Sequence, residues 1–71
     1  MDSSDLIRMA NQIADFYRPY PRGEAVAGIA EHIRNFWDPR MRKALSEIVA
    51  SKSQGLDELA LEGAVNALAM H

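Results

Sequence analysis

The stretch IRNFWDPRMR, residues 33–42, decides how this chain folds. An aspartate directly before a proline is typical of a helix start, with Asp38 as the N-cap and Pro39 at the first helical position. The apolar spacing that leads up to Trp37 is that of a preceding helix, so the tryptophan falls where one helix ends and the next begins. The stretch therefore predicts a structural corner between two helices, built by Trp37, Asp38 and Pro39.

Two amphipathic helices are predicted on the N-terminal side of this corner. The first is capped by Ser3 or Ser4 and ends near Arg18, because the residue before a proline is biased away from helical angles. The second begins at Pro21 or Arg22, since proline is tolerated in the first turn of a helix. Apolar residues recur at helical spacing in both, at Leu6, Met9, Ala10, Ile13 and Tyr17 and then at Val26, Ile29, Ala30, Ile33 and Trp37.

Two further helices are predicted on the C-terminal side. The third ends in the polar stretch 51–55, and Asp57 is the expected N-cap of a fourth that begins at about Glu58. The apolar face of the third is Met41, Ala44, Leu45, Ile48 and Val49, and that of the fourth is predicted to be Leu61, Ala64, Val65 and Leu68. No alternating run of β-branched residues indicates a strand. The predicted fold class is all-α, a small bundle of three to four short helices forming one domain over residues 1–71.

Composition restricts the classes of function. With 71 residues, 48% of them hydrophobic and 25% charged, the chain is too apolar for a disordered protein. No apolar run approaches the ~20 residues that a bilayer span needs, so no membrane association is expected. The acidic start, residues 1–5, lacks the features of a secretory signal, and a cytoplasmic location is the expectation. The absence of cysteine excludes disulfides, thiolate nucleophiles and most structural zinc sites.

The sequence contains no pattern that indicates catalysis. His32 and His71 lie far apart and belong to no recognisable metal-binding spacing. The four glycines form no phosphate-binding loop, and no nucleophile motif or paired carboxylates stand out. We therefore predict that the chain has no catalytic, cofactor-binding or metal-binding residues and is not an enzyme by itself.

The corner is also the densest candidate for protein binding. Tryptophan and arginine are enriched in binding hot spots, and the block 34–43 carries four basic residues against Asp38 alone. The plain interpretation is that Trp37 fills the core while the arginines are solvated, and both interpretations can hold at once. On the first helix, Asn11 and Gln12 are adjacent amides that can bond to the backbone of another chain. The candidate partner-binding residues are Arg8, Asn11, Gln12, His32, Arg34, Phe36, Trp37, Arg40 and Arg42.

Two other classes of function stay open at this point. Short helices and local basicity fit a helix-turn-helix DNA-binding protein, but a net charge of −2 and a Trp-Asp-Pro corner in place of a small-residue turn speak against nucleic acid. A self-associating helical bundle is the third interpretation.

Two segments, RMANQIA at residues 8–14 and HIRNFWDPRMR at residues 32–42, resemble the delta subunit of NAD-dependent formate dehydrogenase. The order and spacing of the segments match that family, and the likeness extends over essentially the whole chain. The resemblance implies a small accessory subunit of a soluble bacterial complex that oxidises formate to carbon dioxide and passes electrons to NAD.

The resemblance also implies which partners carry the chemistry. The alpha subunit is expected to hold the molybdenum pterin cofactor and iron-sulfur clusters, and the beta and gamma subunits FMN, the NAD site and further clusters. This chain is expected to support assembly, stability or cofactor maturation. Arg34, Arg40 and Arg42 are then candidates for hydrogen bonds or ion pairs with the alpha subunit, because the planar guanidinium can engage carboxylates through two hydrogen bonds.

Overall fold

The computed structural model describes residues 2–51 and 55–69. Within these ranges the regular elements are four helices, α1 at Ser3–Tyr17, α2 at Arg22–Phe36, α3 at Pro39–Ala50 and α4 at Glu58–Ala69. The all-α prediction is confirmed. No helix in this part of the chain has both the length and the apolar character needed to cross a membrane.

The predicted corner lies between α2 and α3. The backbone N–H of Trp37 donates to the carbonyl of Ile33 at 3.0 Å and closes the last turn of α2. The carboxylate of Asp38 accepts from the N–H of Met41 at 2.9 Å, which satisfies one of the backbone donors that a helix start leaves unpaired. Because only Trp37 and Asp38 separate the two helices, the corner is tight and its cap is the predicted one.

The predicted cap of α4 is confirmed, and the predicted cap of α1 is wrong. Asp57 caps α4 as predicted, since its carboxylate accepts from the N–H of Leu59 at 3.0 Å. The predicted serine cap of α1 is wrong, because Asp2 holds that position and accepts from the N–H of Asp5 at 3.1 Å. The hydroxyl of Ser4 donates to the same carboxylate at 2.7 Å, so the serine supports the cap instead of forming it.

The core combines all four helices, and Trp37 is buried in it with 4% of its surface exposed. The predicted stripe of α2 is buried throughout, and that of α3 is buried at Leu45 and Ile48 with its other members packed beside them. From α1 the core takes Leu6, Ala10 and Ala14. The apolar stripes of the first three helices were thus identified from their spacing.

The predicted apolar face of α4 is confirmed at Ala64 and Leu68 and is wrong at Leu61 and Val65. Leu61 and Val65 are 39% and 47% exposed, and the helix turns a face of small residues inward instead. Those buried positions are Leu59, Ala60, Gly63, Ala64 and Ala67. Small side chains let α4 approach α2 closely, and this pair makes the most extensive helix contact in the described chain. The close approach of the two backbones buries the larger side chains of α2. This burial stabilises the fold more than burial of Leu61 and Val65 would.

Asn11 ties the connection between α3 and α4 to α1. Its side-chain amide donates to the carbonyl of Gly55 at 2.8 Å, and its side-chain carbonyl accepts from the N–H of Asp57 at 2.8 Å. Gly55 has a φ of 104°, a conformation that glycine adopts readily and other residues rarely do. Residues 52–54 of the predicted polar link lie outside the described residues, as does His71.

Candidate functional site

An apolar groove runs between α1 and α2. Its volume is about 480 Å³, within the range of pockets that receive ligands or side chains. We call it the aromatic groove and define it by its lining residues, Met9, Gln12, Ile13, Phe16, Tyr17, His32 and Trp37. Because Trp37 is buried there, the corner between α2 and α3 also shapes the groove.

Two phenylalanines at the groove remain largely exposed. Phe16 is 67% exposed and Phe36 is 73% exposed. Phe16 meets Tyr17 edge to face with ring centroids 5.1 Å apart, and Phe36 lies against the imidazole of His32 with centroids 4.8 Å apart. Each exposed ring therefore has an aromatic neighbour on its own helix. Large apolar groups gathered in one place on a surface typically mark an interaction site.

Several predicted partner-binding residues meet at this groove. Gln12, His32 and Trp37 line it, and Phe36 stands beside it through its contact with His32. Arg8 is one helical turn before Gln12, is exposed, and pairs with Asp5 at 3.3 Å. Trp37 contributes from the core, whereas the exposed Phe36 does not help to fill the corner. The two aromatic neighbours in the sequence therefore have different environments.

Asn11 has an intramolecular role. Its amide uses one donor and one acceptor on the link before α4, within its own chain. The predicted ability of this side chain to bond to backbone is therefore seen inside the protein. Contact of Asn11 with a partner stays a prediction.

The predicted arginines do not share one surface. Arg34 and Arg42 line a shallow depression that we call the basic notch, together with Pro39, Lys43, Ser46, Ala67 and Leu68. Arg40 lies in a separate depression beside Leu6 and Met41. Although three arginines fall within nine sequence positions, the helical turn of α3 directs Arg40 and Arg42 to different sides.

Phe16 is the site residue that sequence reasoning missed, since it is not among the predicted partner-binding residues. A signal was present, because Arg8, Gln12 and Phe16 follow each other at four-residue steps and so form one row on α1. A phenylalanine that continues a polar row is expected to reach solvent. Tyr20, 50% exposed and 5.6 Å from Tyr17 between ring centroids, extends the aromatic surface beyond the helix end.

The charged side chains of the described residues form ion pairs on the surface and no group typical of a metal site. Over residues 2–51 and 55–69, no three side chains of His, Asp or Glu come together in a group able to hold a metal ion. The ion pairs seen there, at Arg8, Arg18 and Arg22, link residues of this chain and lie on its surface. Apolar contact at the groove and anion binding at the notch are the functions that these side chains can perform.

The geometry defines a small all-helical protein with an apolar groove on its surface. The family model for the NADH-dependent formate dehydrogenase delta subunit, FdsD, matches residues 5–65 of the chain. The chain belongs to this family, as the two sequence segments predicted, and is a subunit of an enzyme complex with partner subunits. No curated protein and no solved structure matches it.

Proposed function

We propose that this chain is a non-catalytic accessory subunit that binds the alpha subunit of formate dehydrogenase through the aromatic groove. The observation that carries the proposal is the pair of exposed rings, Phe16 and Phe36, flanking an apolar groove in a member of a subunit family. Exposed apolar surface of this kind is costly in water and is stabilised when a partner covers it.

The proposed division of labour places assembly, stability or cofactor maturation with this chain and redox chemistry with its partners. The chain has no cysteine to ligate an iron-sulfur cluster. We expect the molybdenum pterin cofactor, the clusters, FMN and NAD in the alpha, beta and gamma subunits. A cytoplasmic location belongs to the same proposal.

The groove suits a partner that inserts apolar side chains. Ile13 and Trp37 are among its apolar lining residues, and Gln12 and His32 add polar groups to the lining. Interfaces typically combine a desolvated apolar centre with a polar rim, and aromatic residues supply much of the binding free energy. The groove has both parts on a scale of a few side chains.

An affinity pull-down tests the proposal. The tagged chain is incubated with lysate of its native host, and the retained proteins are identified by mass spectrometry. We expect the alpha subunit to be retained at a stoichiometric level. Retention of no formate dehydrogenase subunit would contradict the proposal, and a mass of the purified chain that rises with concentration, without any such retention, would favour the self-associating bundle.

A further inference from the structure

The basic notch is chemically distinct from the aromatic groove. Arg34, Arg42 and Lys43 bring three positive charges to one depression near the start of α3. Arg42 and Lys43 form no ion pair with any acidic side chain in the described ranges, unlike Arg8, Arg18 and Arg22. The chain as a whole has a net charge of −2, so this local positive charge runs against its overall balance.

The guanidinium of Arg42 has an unmet hydrogen-bonding requirement. Its Nε atom is buried yet has no hydrogen-bond partner among the described residues. A buried donor without an acceptor destabilises the folded chain. An oxyanion in the notch can accept from the terminal nitrogens of a guanidinium, and charge attraction adds to these hydrogen bonds.

We infer that the basic notch binds a carboxylate-bearing acidic segment of the subunit that the proposed function assigns as partner. Arg42 supplies the two-bond fork, and Lys43 supplies further positive charge. A protein segment fits better than nucleic acid, because the notch is small and the chain as a whole carries a net charge of −2. A duplex would need a broader basic surface.

Arg40 is not part of the basic notch. Arg40 is on the same helix but in a different depression, with Leu6 and Met41 as neighbours. Its removal changes the charge of the chain by the same amount as removal of Arg42, without touching the notch. Arg40 therefore provides a matched control.

The test measures the affinity of the purified alpha subunit for three forms of the chain over a range of salt concentrations. The forms are the wild type, the double variant Arg42→Gln with Lys43→Gln, and the control Arg40→Gln with Arg22→Gln, which removes the same two units of charge outside the notch. We expect the double variant to bind about tenfold or more weakly and with a flatter salt dependence, because two charged contacts are lost. We expect the control to change affinity by about twofold or less. Circular dichroism verifies that each variant keeps its helical content.

Equal affinities of the double variant and the wild type for the alpha subunit would overturn the inference. The proposed function would still stand in that case, provided that the wild type binds the alpha subunit. A second arm titrates inorganic phosphate at constant ionic strength and follows the melting temperature. Stabilisation of the wild type by phosphate that the double variant lacks, together with unchanged affinity for the alpha subunit, would assign the notch to a free oxyanion and also overturn it.

Discussion

Gly63 on α4 lies against Ile29 on α2 so closely that a Cβ atom at position 63 would stand 2.7 Å from the Ile29 Cβ. Real Cβ atoms do not make contacts of this length, so one of the two helices would have to shift. Ile29 is fully buried, and its neighbours leave little space for such a movement. The contact between α2 and α4 therefore depends on the absence of a side chain at position 63.

Replacing Gly63 with alanine should destabilise the protein. Overpacking in a well-filled core costs about 1–3 kcal/mol, which exceeds the gain of up to ~1 kcal/mol that alanine brings to a helix interior. Gly23→Ala on α2 is the matched control, because no atom lies within 4 Å of the position its Cβ would take. Urea unfolding compares the two. A Gly63→Ala variant as stable as Gly23→Ala would show that α4 does not pack as described.

Removing the side chain of Asn11 should also lower the free energy of unfolding, by about 1–3 kcal/mol. Asn11→Ala takes away one hydrogen bond to Gly55 and one to Asp57, and it leaves their backbone groups without those partners. The neighbouring Gln12→Ala serves as control, since Gln12 is exposed and should change stability by about 0.5 kcal/mol or less. Equal unfolding free energies for the two variants would argue against the tie between α1 and the α3–α4 connection.

Stability should fall in acid through Asp57. Burial raises the pKa of its carboxyl, but the hydrogen bonds from Arg18 and from the N–H of Leu59 outweigh this and leave the pKa below its usual value of 3.8. The unfolded chain then takes up this proton at a higher pH than the folded chain does. The stabilisation is complete above the ordinary pKa and is lost as the pH falls through the lowered one.

Melting temperatures from about pH 7 to about pH 2 check this prediction. Asp57→Asn keeps an N-cap side chain and removes the titration, so its melting temperature should fall less steeply in acid than that of the wild type. Asp2 accounts for part of the remaining slope, because the hydroxyl of Ser4 and the N–H of Asp5 lower its pKa. If the melting temperatures of wild type and variant fall identically with pH, Asp57 does not contribute to the loss of stability in acid.

Much of the fold could be predicted because its signals are local. The Asp38–Pro39 pair defines the start of α3, and the stripes of α1 to α3 contain residues large enough to mark the buried side. The face of α4 was mispredicted at Leu61 and Val65 because the apolar pattern was judged by side-chain size. Its true signal is the run of small residues at Ala60, Gly63, Ala64 and Ala67, which allows close helix approach.

The candidate site was less predictable, since it depends on contacts between distant residues. Nothing near Asn11 in the sequence indicates Asp57 as its partner, 46 positions away. The assignment of Arg34 and Arg42 to one depression and of Arg40 to another requires the packing of α3 against its neighbours. Phe36 was predicted to bind a partner because it lies in a segment rich in aromatic residues and arginine. The structure shows its ring exposed beside His32, and its contact with a partner stays a prediction.

The central prediction is that Phe16 and Phe36, beside the aromatic groove, contribute to binding of the alpha subunit. Replacing both with serine removes exposed apolar groups that the monomer does not bury, so the fold should remain and binding of the alpha subunit should weaken about tenfold or more. Leu61→Ser with Val65→Ser on α4 is the matched control, because it also removes two exposed apolar side chains but leaves the groove intact.

The most direct measurement is the dissociation constant of the alpha subunit for the wild type, the Phe16→Ser, Phe36→Ser variant and the Leu61→Ser, Val65→Ser control, each verified as folded by circular dichroism. The account predicts a wild-type affinity for the control and an affinity at least about tenfold lower for the phenylalanine variant. Equal binding by all three forms, or a loss confined to the α4 control, would contradict it.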